Sequence, residues 1–355
     1  MSGGHVDEFS GTVPVREAHR FDEQRLADWM SGHVAGFRGP LTVEQFSGGQ
    51  SNPTYKLRTP GRTCVLRRKP PGPLVKGAHA IEREAQVQMA LGAAGFPVPH
   101  VHGLCLDEAI IGSRFYVMDY IEGRIVWDAT FPGVGRRDRP RYFDAMNETL
   151  ARLHCIDYRA IGLEDYARPG NYVERQVARW SRQYLAETEA GRDPHMDRLL
   201  EWLPDNIPRN DEVCVVHGDF RVDNLIFHPT EARVIAVLDW ELSTLGHPLS
   251  DLAYHLLMYR LPPTLIAGLL GADLSVLNVP SEAEYVSAYC SRTRRSSIPD
   301  LEFYIAFNLF RFAAILQGIK GRVMRGTAVS ARARDMAGGL PLVARCAWEH
   351  AMSVK

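Results

Sequence analysis

Val215-Val216-His217-Gly218-Asp219-Phe220-Arg221-Val222-Asp223-Asn224-Leu225-Ile226-Phe227 is an apolar run, a polar turn and a second apolar run, and Asp239 follows at the end of Val234-Ile235-Ala236-Val237-Leu238. The apolar runs read as short strands that deliver polar residues at their ends, with Asp219 and Asn224 five apart in the turn. That arrangement suits phosphoryl transfer: one carboxylate to receive a hydroxyl proton, and an amide plus a second carboxylate to hold Mg²⁺ between nucleotide phosphates. Hard oxygen ligands fit, because Mg²⁺ prefers carboxylate, amide carbonyl and water to His or Cys. Asp and Asn in a loop are also ordinary turn formers. The conjunction of H-G-D-x-x-x-x-N, apolar runs on each side and a further run ending in Asp239-Trp240-Glu241 favours the chemistry.

With these residues the sequence resembles the aminoglycoside phosphotransferase family, relatives of protein kinases, in which H-G-D-x-x-x-x-N is the catalytic loop and the next strand's Asp binds metal. The longer string from Val234 to Gly246, V-I-A-V-L-D-W-E-L-S-T-L-G, is similar to one branch: the kinase-like domain fused to certain acyl-CoA dehydrogenases and its free-standing bacterial cousins. The resemblance covers nearly the whole chain from about Phe46. It implies an α+β, two-lobed protein-kinase-like fold, with a small antiparallel-sheet lobe over residues 1–120 and a larger, mostly helical catalytic and acceptor-binding lobe over 121–355. It also implies ATP and Mg²⁺ as cofactors, Asp219 as base, and Asn224 and Asp239 as metal ligands. His217 and Asp251, the latter in Ser250-Asp251-Leu252-Ala253-Tyr254, match residues that support the catalytic loop. Glu241 either joins the metal shell or caps the next segment. Leu245-Gly246-His247-Pro248 departs from the branch's usual Leu-Gly-Asp-Pro.

The 355 residues are 45% hydrophobic and 23% charged, long enough for two lobes with substantial cores. Net charge is −1 from 41 basic and 42 acidic residues, so no global field recruits nucleic acid or an anionic membrane. The six cysteines lack a C-x-x-C pair, which argues against a disulfide framework and a zinc site. No run approaches the ~18 apolar residues of a membrane span, and Met1 to Pro14 has no apolar signal core. A cytoplasmic protein with a small-molecule substrate is expected, with residues 1–15 as a flexible tail.

Along the chain, Asp22 is a plausible N-cap for a helix whose Leu26, Trp29, Met30 and His33 share one face. Leu41 to Phe46, Thr54 to Arg58 and Thr63 to Arg68 read as strands of a small antiparallel sheet. The turn Ser47-Gly48-Gly49-Gln50-Ser51 is a hairpin turn or a loop over phosphates, since glycines admit close approach of oxyanions. Neither G-x-G-x-x-G nor G-x-x-x-x-G-K-[ST] is present; the family tolerates an abbreviated loop, so the resemblance supports phosphate covering. Strand parity puts Val65 with Arg67 on one face and Leu66 with Arg68 on the other. The family's basic residue on this strand pairs with phosphates and a helix Glu, which here gives Arg67 and Glu84. Arg67 replaces the usual Lys, and a guanidinium forks where an ammonium does not; Arg68 and Lys69 are alternative contacts. By the same resemblance Met118, Asp119, Tyr120 and Ile121, at the exit of the strand Phe115 to Ile121, form the hinge that binds adenine.

Tyr142 to His154 is an apolar-striped helix, and Asn171 to Glu189 with Met196 to Trp202 form a helical insert that walls the acceptor site in the family. Trp180 and Tyr184, four apart on one helix face, contact the acceptor or simply pack. Ser291 to Asp335 holds nine basic residues against three acidic ones, Arg311 and Arg322 among the basic. A cleft lined by part of this segment suits an anionic acceptor such as a CoA thioester rather than a polycationic aminoglycoside; a solvated arginine-rich surface reads the same way. The branch resemblance implies phosphorylation of a hydroxyacyl-CoA, of the 4-hydroxyacyl type, or a related hydroxy acid. The alternatives are an aminoglycoside, choline-like or sugar kinase and, in another class, a nucleotide-binding pseudokinase. A protein kinase is disfavoured: there is no A-P-E after Asp239, and the metal strand leads directly into a helix-like stretch.

Overall fold

Alternation along the strands sorts the side chains of an antiparallel sheet into two faces, and each face finds its own helix. The computed structural model describes residues 11–47, 52–70, 80–167, 170–210, 212–327 and 333–354. They form two compact units in a two-lobed α+β fold, a small antiparallel-sheet lobe and a larger helical lobe. The first unit takes the described residues up to Arg124 together with Ile161–Leu163 and Leu225–Leu242; the second takes Ile125–Ala160, Glu164–Asn224 and the chain from Ser243 on.

In the first unit, β1 (Thr12–Val13), β2 (Thr42–Phe46), β3 (Thr54–Thr59), β4 (Arg62–Arg68), β5 (Val101–Cys105) and β6 (Phe115–Asp119) make one sheet in the order β1-β2-β3-β4-β6-β5. Pro60 and Gly61 close the β3–β4 turn, with Thr59 paired to Arg62. Tyr55, Leu57, Cys64, Leu66, Phe115 and Val117 pack with Leu26 and Met30 of α1 (Glu23–His33), whose N-cap Asp22 accepts from the Arg25 N–H. Val65, Tyr116 and Met118 pack on the other face with Ile81 and Ala85 of α2 (Ile81–Ala93). Arg67 shares parity with Val65, so it emerges on the α2 face.

This unit also contains the antiparallel strands Leu225–Phe227 and Val234–Val237. The Val237 N–H donates to the Pro97 carbonyl at 2.8 Å, and the buried Trp240 meets Phe96 edge to face. These contacts fix the turn that carries Asp239. The helix-like continuation expected after Asp239 is only the 3-10 turn Trp240–Leu242; the strand Thr244–Gly246 intervenes before the next helix. That strand pairs with Cys214–Val216 in the second unit, Leu245 opposite Val215. A Cβ on Gly246 would stand 2.9 Å from the Val216 side chain and 3.0 Å from the Tyr172 ring, so glycine is required at this crossing.

The second unit is built from α3 (Arg139–His154), α4 (Tyr172–Ala186), α5 (Pro194–Asp205), α6 (Pro248–Arg260), α7 (Glu282–Thr293), α8 (Leu301–Met324) and α9 (Leu340–Ser353). Every residue of α6 from Pro248 to Tyr259 is buried, and α8 is buried over most of its length. A helix apolar nearly all round belongs inside a bundle. The polar residues these two helices carry therefore need internal partners, and several find them in the loop after Val216.

Candidate active site

In the second unit the loop is held by a buried carboxylate. Asp251, in the first turn of α6, accepts the His217 N–H at 2.7 Å and the Gly218 N–H at 2.8 Å. His154 Nε2 lies 3.2 Å from the same carboxylate, and its Nδ1 lies 2.7 Å from the Tyr289 hydroxyl. Burial pushes the Asp251 pKa up, but the His154 contact and the remaining donors outweigh it and the net direction is down. Gly218 has φ of 81°, a left-handed value that suits glycine, and it turns the chain toward Asp219. His217 is fully buried, with Nδ1 accepting from the Asp219 N–H at 3.2 Å.

Asp219 is oriented from both sides. The Tyr254 hydroxyl donates to Oδ1 at 2.6 Å, Arg221 Nε lies 3.3 Å from the same oxygen, and Asn224 Nδ2 donates to Oδ2 at 3.0 Å. Asn224 Nδ2 also donates to the Asp219 carbonyl at 2.8 Å, which commits its nitrogen end and leaves the amide oxygen as the group to offer a cation. Arg311, in α8, gives an N–H to the Gly218 carbonyl at 2.6 Å. Tyr254 stands three residues beyond Asp251 on α6, so one helix face supplies both the loop's brace and a donor to Asp219. Neither Tyr254 nor Arg221 is singled out by the sequence reading. The i, i+3 spacing of Asp251 and Tyr254 was the available signal for the first.

In the first unit a cluster of charge surrounds Arg67. Its Nε lies 2.8 Å from Glu84 Oε2, and Nη2 lies 2.7 Å from Asp239 Oδ1 and 3.6 Å from Glu241 Oε2. Glu84 is further fixed by Asn52 at 2.8 Å and the Tyr116 hydroxyl at 3.1 Å. Burial works against the Arg67 charge, but Asp239 and then Glu84 outweigh it, and its pKa rises. Burial raises the Glu84 pKa; Arg67 opposes that shift and Asp239 reinforces it. Asp239 has φ of 63°, uncommon for a residue other than glycine and tolerated best by Asp and Asn, the kind of strain that collects at functional positions.

The other expected residues fall as follows. Ser47 bonds the Gly11 carbonyl through its hydroxyl at 2.9 Å, and Gly48, Gly49, Gln50 and Ser51 lie outside the described residues. Arg68 is buried against the Ile111 carbonyl and the Phe21 and Tyr55 rings, and Lys69 reaches Glu82, so only Arg67 of the three meets Glu84. Met118 is buried opposite Val65; the Asp119 carboxylate takes His102 at 2.8 Å; Lys56 lies over the Tyr120 ring; and Ile121 is half-buried. Tyr184 is fully buried with its hydroxyl bonded to Asp197 and the Asp193 backbone, Trp180 is buried, and Arg322 is exposed. His247 occupies the place of the branch's Asp as N-cap of α6, accepting from the Leu249 N–H, with its ring stacked on Tyr304.

Each unit by itself offers an oxygen donor of the kind a hard cation takes: in the second, the Asn224 amide oxygen is unclaimed by the amide's own anchoring, and in the first, the Asp239 carboxylate is one-third exposed at a strained turn. Among the described residues no group of three or more His, Cys, Asp or Glu could hold a metal. Mg²⁺ in nucleotide sites needs only one or two protein oxygens, the rest coming from phosphates and water. No helix of the described residues is long and apolar enough to cross a membrane.

Residues 42–285 match the model of the phosphotransferase enzyme family. The chain is 44% identical over 343 residues to acyl-CoA dehydrogenase family member 10 of Mus musculus, covering 96% of this chain and 32% of that protein. It is 46% identical over 339 residues to acyl-CoA dehydrogenase family member 11 of Gallus gallus, covering 92% of this chain and 43% of that protein. It thus spans less than half the length of these relatives. A crystal structure from Ralstonia eutropha, provisionally named an aminoglycoside phosphotransferase, superposes with a TM-score of 0.87 at 48% identity, covering 95% of this chain and all of that one.

Proposed function

This chain belongs to the phosphotransferase enzyme family as an aminoglycoside-phosphotransferase-like kinase, and from that premise we propose its acceptor: the hydroxyl of a hydroxyacyl-CoA thioester, of the 4-hydroxyacyl type, or of a related hydroxy acid. It is a phosphotransferase acting on a hydroxyl, with the ATP and Mg²⁺ requirement expected of that family. One observation carries the acceptor: the relatives at 44% and 46% identity are named as acyl-CoA dehydrogenase family members, and this chain corresponds to only 32% and 43% of them. A kinase joined to an acyl-CoA dehydrogenase has acyl-CoA at hand, and phosphorylating a hydroxyl on the acyl chain prepares that chain for further breakdown.

In the proposed reaction Asp219 orients the acceptor hydroxyl and receives its proton as the oxygen bonds the γ-phosphorus and the bond to ADP breaks. An alcohol is far less acidic than a carboxylic acid, whose pKa is about 4, so the proton moves with the attack rather than before it. Tyr254, Arg221 and Asn224 hold that carboxylate, and Asp251 and His217 hold its loop. Asn224 and Asp239 would supply oxygen ligands for Mg²⁺, which when bound would neutralise charge on the phosphates and the leaving ADP. Arg67, paired with Glu84, addresses phosphate oxygens, and Met118 to Ile121 receives the adenine; of the turn Ser47 to Ser51, expected to cover the phosphates, Gly48 to Ser51 lie outside the described residues.

The test is ADP release with ATP and Mg²⁺ against 4-hydroxyacyl-CoA thioesters, the free acids, kanamycin-type aminoglycosides and choline. Turnover is expected with the hydroxyacyl compounds and should fall on the order of 10²- to 10⁴-fold in Asp219→Asn. Turnover confined to aminoglycosides or choline refutes the acceptor, and tight nucleotide binding with silence across the panel favours a pseudokinase.

A further inference from the structure

Two guanidinium groups share one indole in the second unit. Arg179 and Trp180 are neighbours on α4, and the Arg179 Cζ lies 5.2 Å from the Trp180 ring centroid. The Arg311 Cζ, reaching across from α8, lies 5.6 Å from the same ring. Arg311 is only 4% exposed. It spends one N–H on the Gly218 carbonyl, and among the described residues its Nε has no hydrogen-bond partner. No carboxylate among the described residues forms an ion pair with either arginine.

Buried cations are ordinarily paired, because an uncompensated charge costs far more than a neutral polar group. The aromatic faces of Trp180 and of Tyr254, whose ring lies 4.9 Å from the Arg311 Cζ, recover part of that cost but leave guanidinium N–H groups unused. Only Arg311 is buried; Arg179 is exposed, and partial desolvation of its guanidinium, then the charge of Arg311, lower its pKa. The pair also lies beside the reacting group: the Tyr254 ring under Arg311 carries the hydroxyl that donates to Asp219 at 2.6 Å.

We propose that Arg179 and Arg311, laid on Trp180, form the subsite that receives an oxyanion carried by the acceptor whose hydroxyl stands at Asp219. The proposal rests on the phosphotransferase reading and narrows it to hydroxyl compounds bearing a carboxylate or a phosphate. An aminoglycoside ammonium placed there would meet two positive charges. A forked guanidinium matches either oxyanion bidentately. The free carboxylate of a hydroxy acid and a phosphate of CoA are the two sources of that chemistry.

Calorimetric titration with inorganic phosphate, in saturating ADP and Mg²⁺, reads the subsite without turnover. The wild-type protein is expected to bind phosphate, Arg179→Gln to bind it at least about 10-fold more weakly, and Arg179→Lys to recover part of the loss. Arg311 is left intact because it also holds the loop at Gly218. The same titration with 4-hydroxypentanoate, its CoA thioester and its pantetheine thioester assigns the source. The first carries a carboxylate, the second phosphates, the third neither, and only the compound that fills the subsite should weaken in Arg179→Gln. Equal phosphate affinity in wild type and Arg179→Gln, or a pantetheine thioester weakened as much as the charged ligands, overturns the subsite. Phosphate binding that depends on Arg179 while no hydroxyacyl compound binds leaves the subsite standing and refutes the hydroxyacyl acceptor.

Discussion

Arg67 faces more negative charge than one guanidinium can neutralise, with Glu84 and Asp239 at 2.8 and 2.7 Å and Glu241 at 3.6 Å. Its Nη2 donates to Asp239 while Nε stands 2.8 Å from Glu84 as an ion pair without a hydrogen bond, so one planar guanidinium meets carboxylates in two directions, which a single ammonium cannot do at once. Losing one charge-assisted contact costs about 1.5–3 kcal/mol, so Arg67→Lys should lower kcat/KM for ATP by about 10- to 100-fold. Steady-state kinetics decide it, and an unchanged value would mean that the fork is not used. The Arg67–Glu84 pair was legible, because strand parity puts Arg67 on the face that α2 covers and the family motif names its partner. The Arg67–Asp239 contact joins residues 172 apart, and no local pattern encodes a pairing of that separation.

Helix α6 is a scaffold for the loop after Val216, held chiefly from its first turn. Asp251 ties two consecutive loop N–H groups and His154 to one carboxylate, while Tyr254 reaches Asp219. Asp251→Asn keeps the size but replaces one acceptor oxygen by a donor, which then faces an N–H. It should lower stability by about 3 kcal/mol, measured by urea unfolding, and reduce kcat under conditions where the variant is still folded. A loss of stability with kcat intact would show that the loop keeps its shape without this brace. Asp251 was legible through its match to the family motif in Ser250-Asp251-Leu252-Ala253-Tyr254 rather than through any local pattern. Tyr254 was not, since a tyrosine on a buried helix looks the same whether its hydroxyl serves the core or the loop. His247 departs from the branch's Asp without losing the cap: an imidazole nitrogen caps α6 as a carboxylate would, and Tyr304 stacks on the ring.

At the scale of the whole molecule, the two-lobed expectation came from the family resemblance, and no local pattern gives the chain composition of the two units. A boundary near residue 120 follows the change from strands to helices, whereas the first unit also contains Leu225–Leu242, anchored through Pro97, Phe96 and Arg67. Such long-range additions are set by packing and leave no signature in a short window. Global stability should respond to acid through another buried group on α6. The His255 Nδ1 faces the Phe220 carbonyl at 3.1 Å, which can only accept, so Nδ1 carries the proton and Nε2 accepts from the Tyr285 hydroxyl at 2.7 Å. Protonating Nε2 would spoil that bond, and burial pushes the His255 pKa down to about 4, against about 6.5 for an unperturbed histidine. Above pH 6.5 the group is neutral in both folded and unfolded chains and contributes no pH dependence. Between pH 6.5 and 4 the unfolded chain binds a proton that the native state refuses, so stability falls as pH falls, reaching a deficit of about 3 kcal/mol at the lower end. By pH 5 about 2 kcal/mol of it should already be lost. In His255→Asn that part of the loss is absent, while the other histidines contribute equally to both proteins. Urea unfolding at pH 7 and pH 5 should therefore give a difference smaller by about 2 kcal/mol in the variant than in the wild type; identical differences would mean that His255 accepts its proton in the folded state.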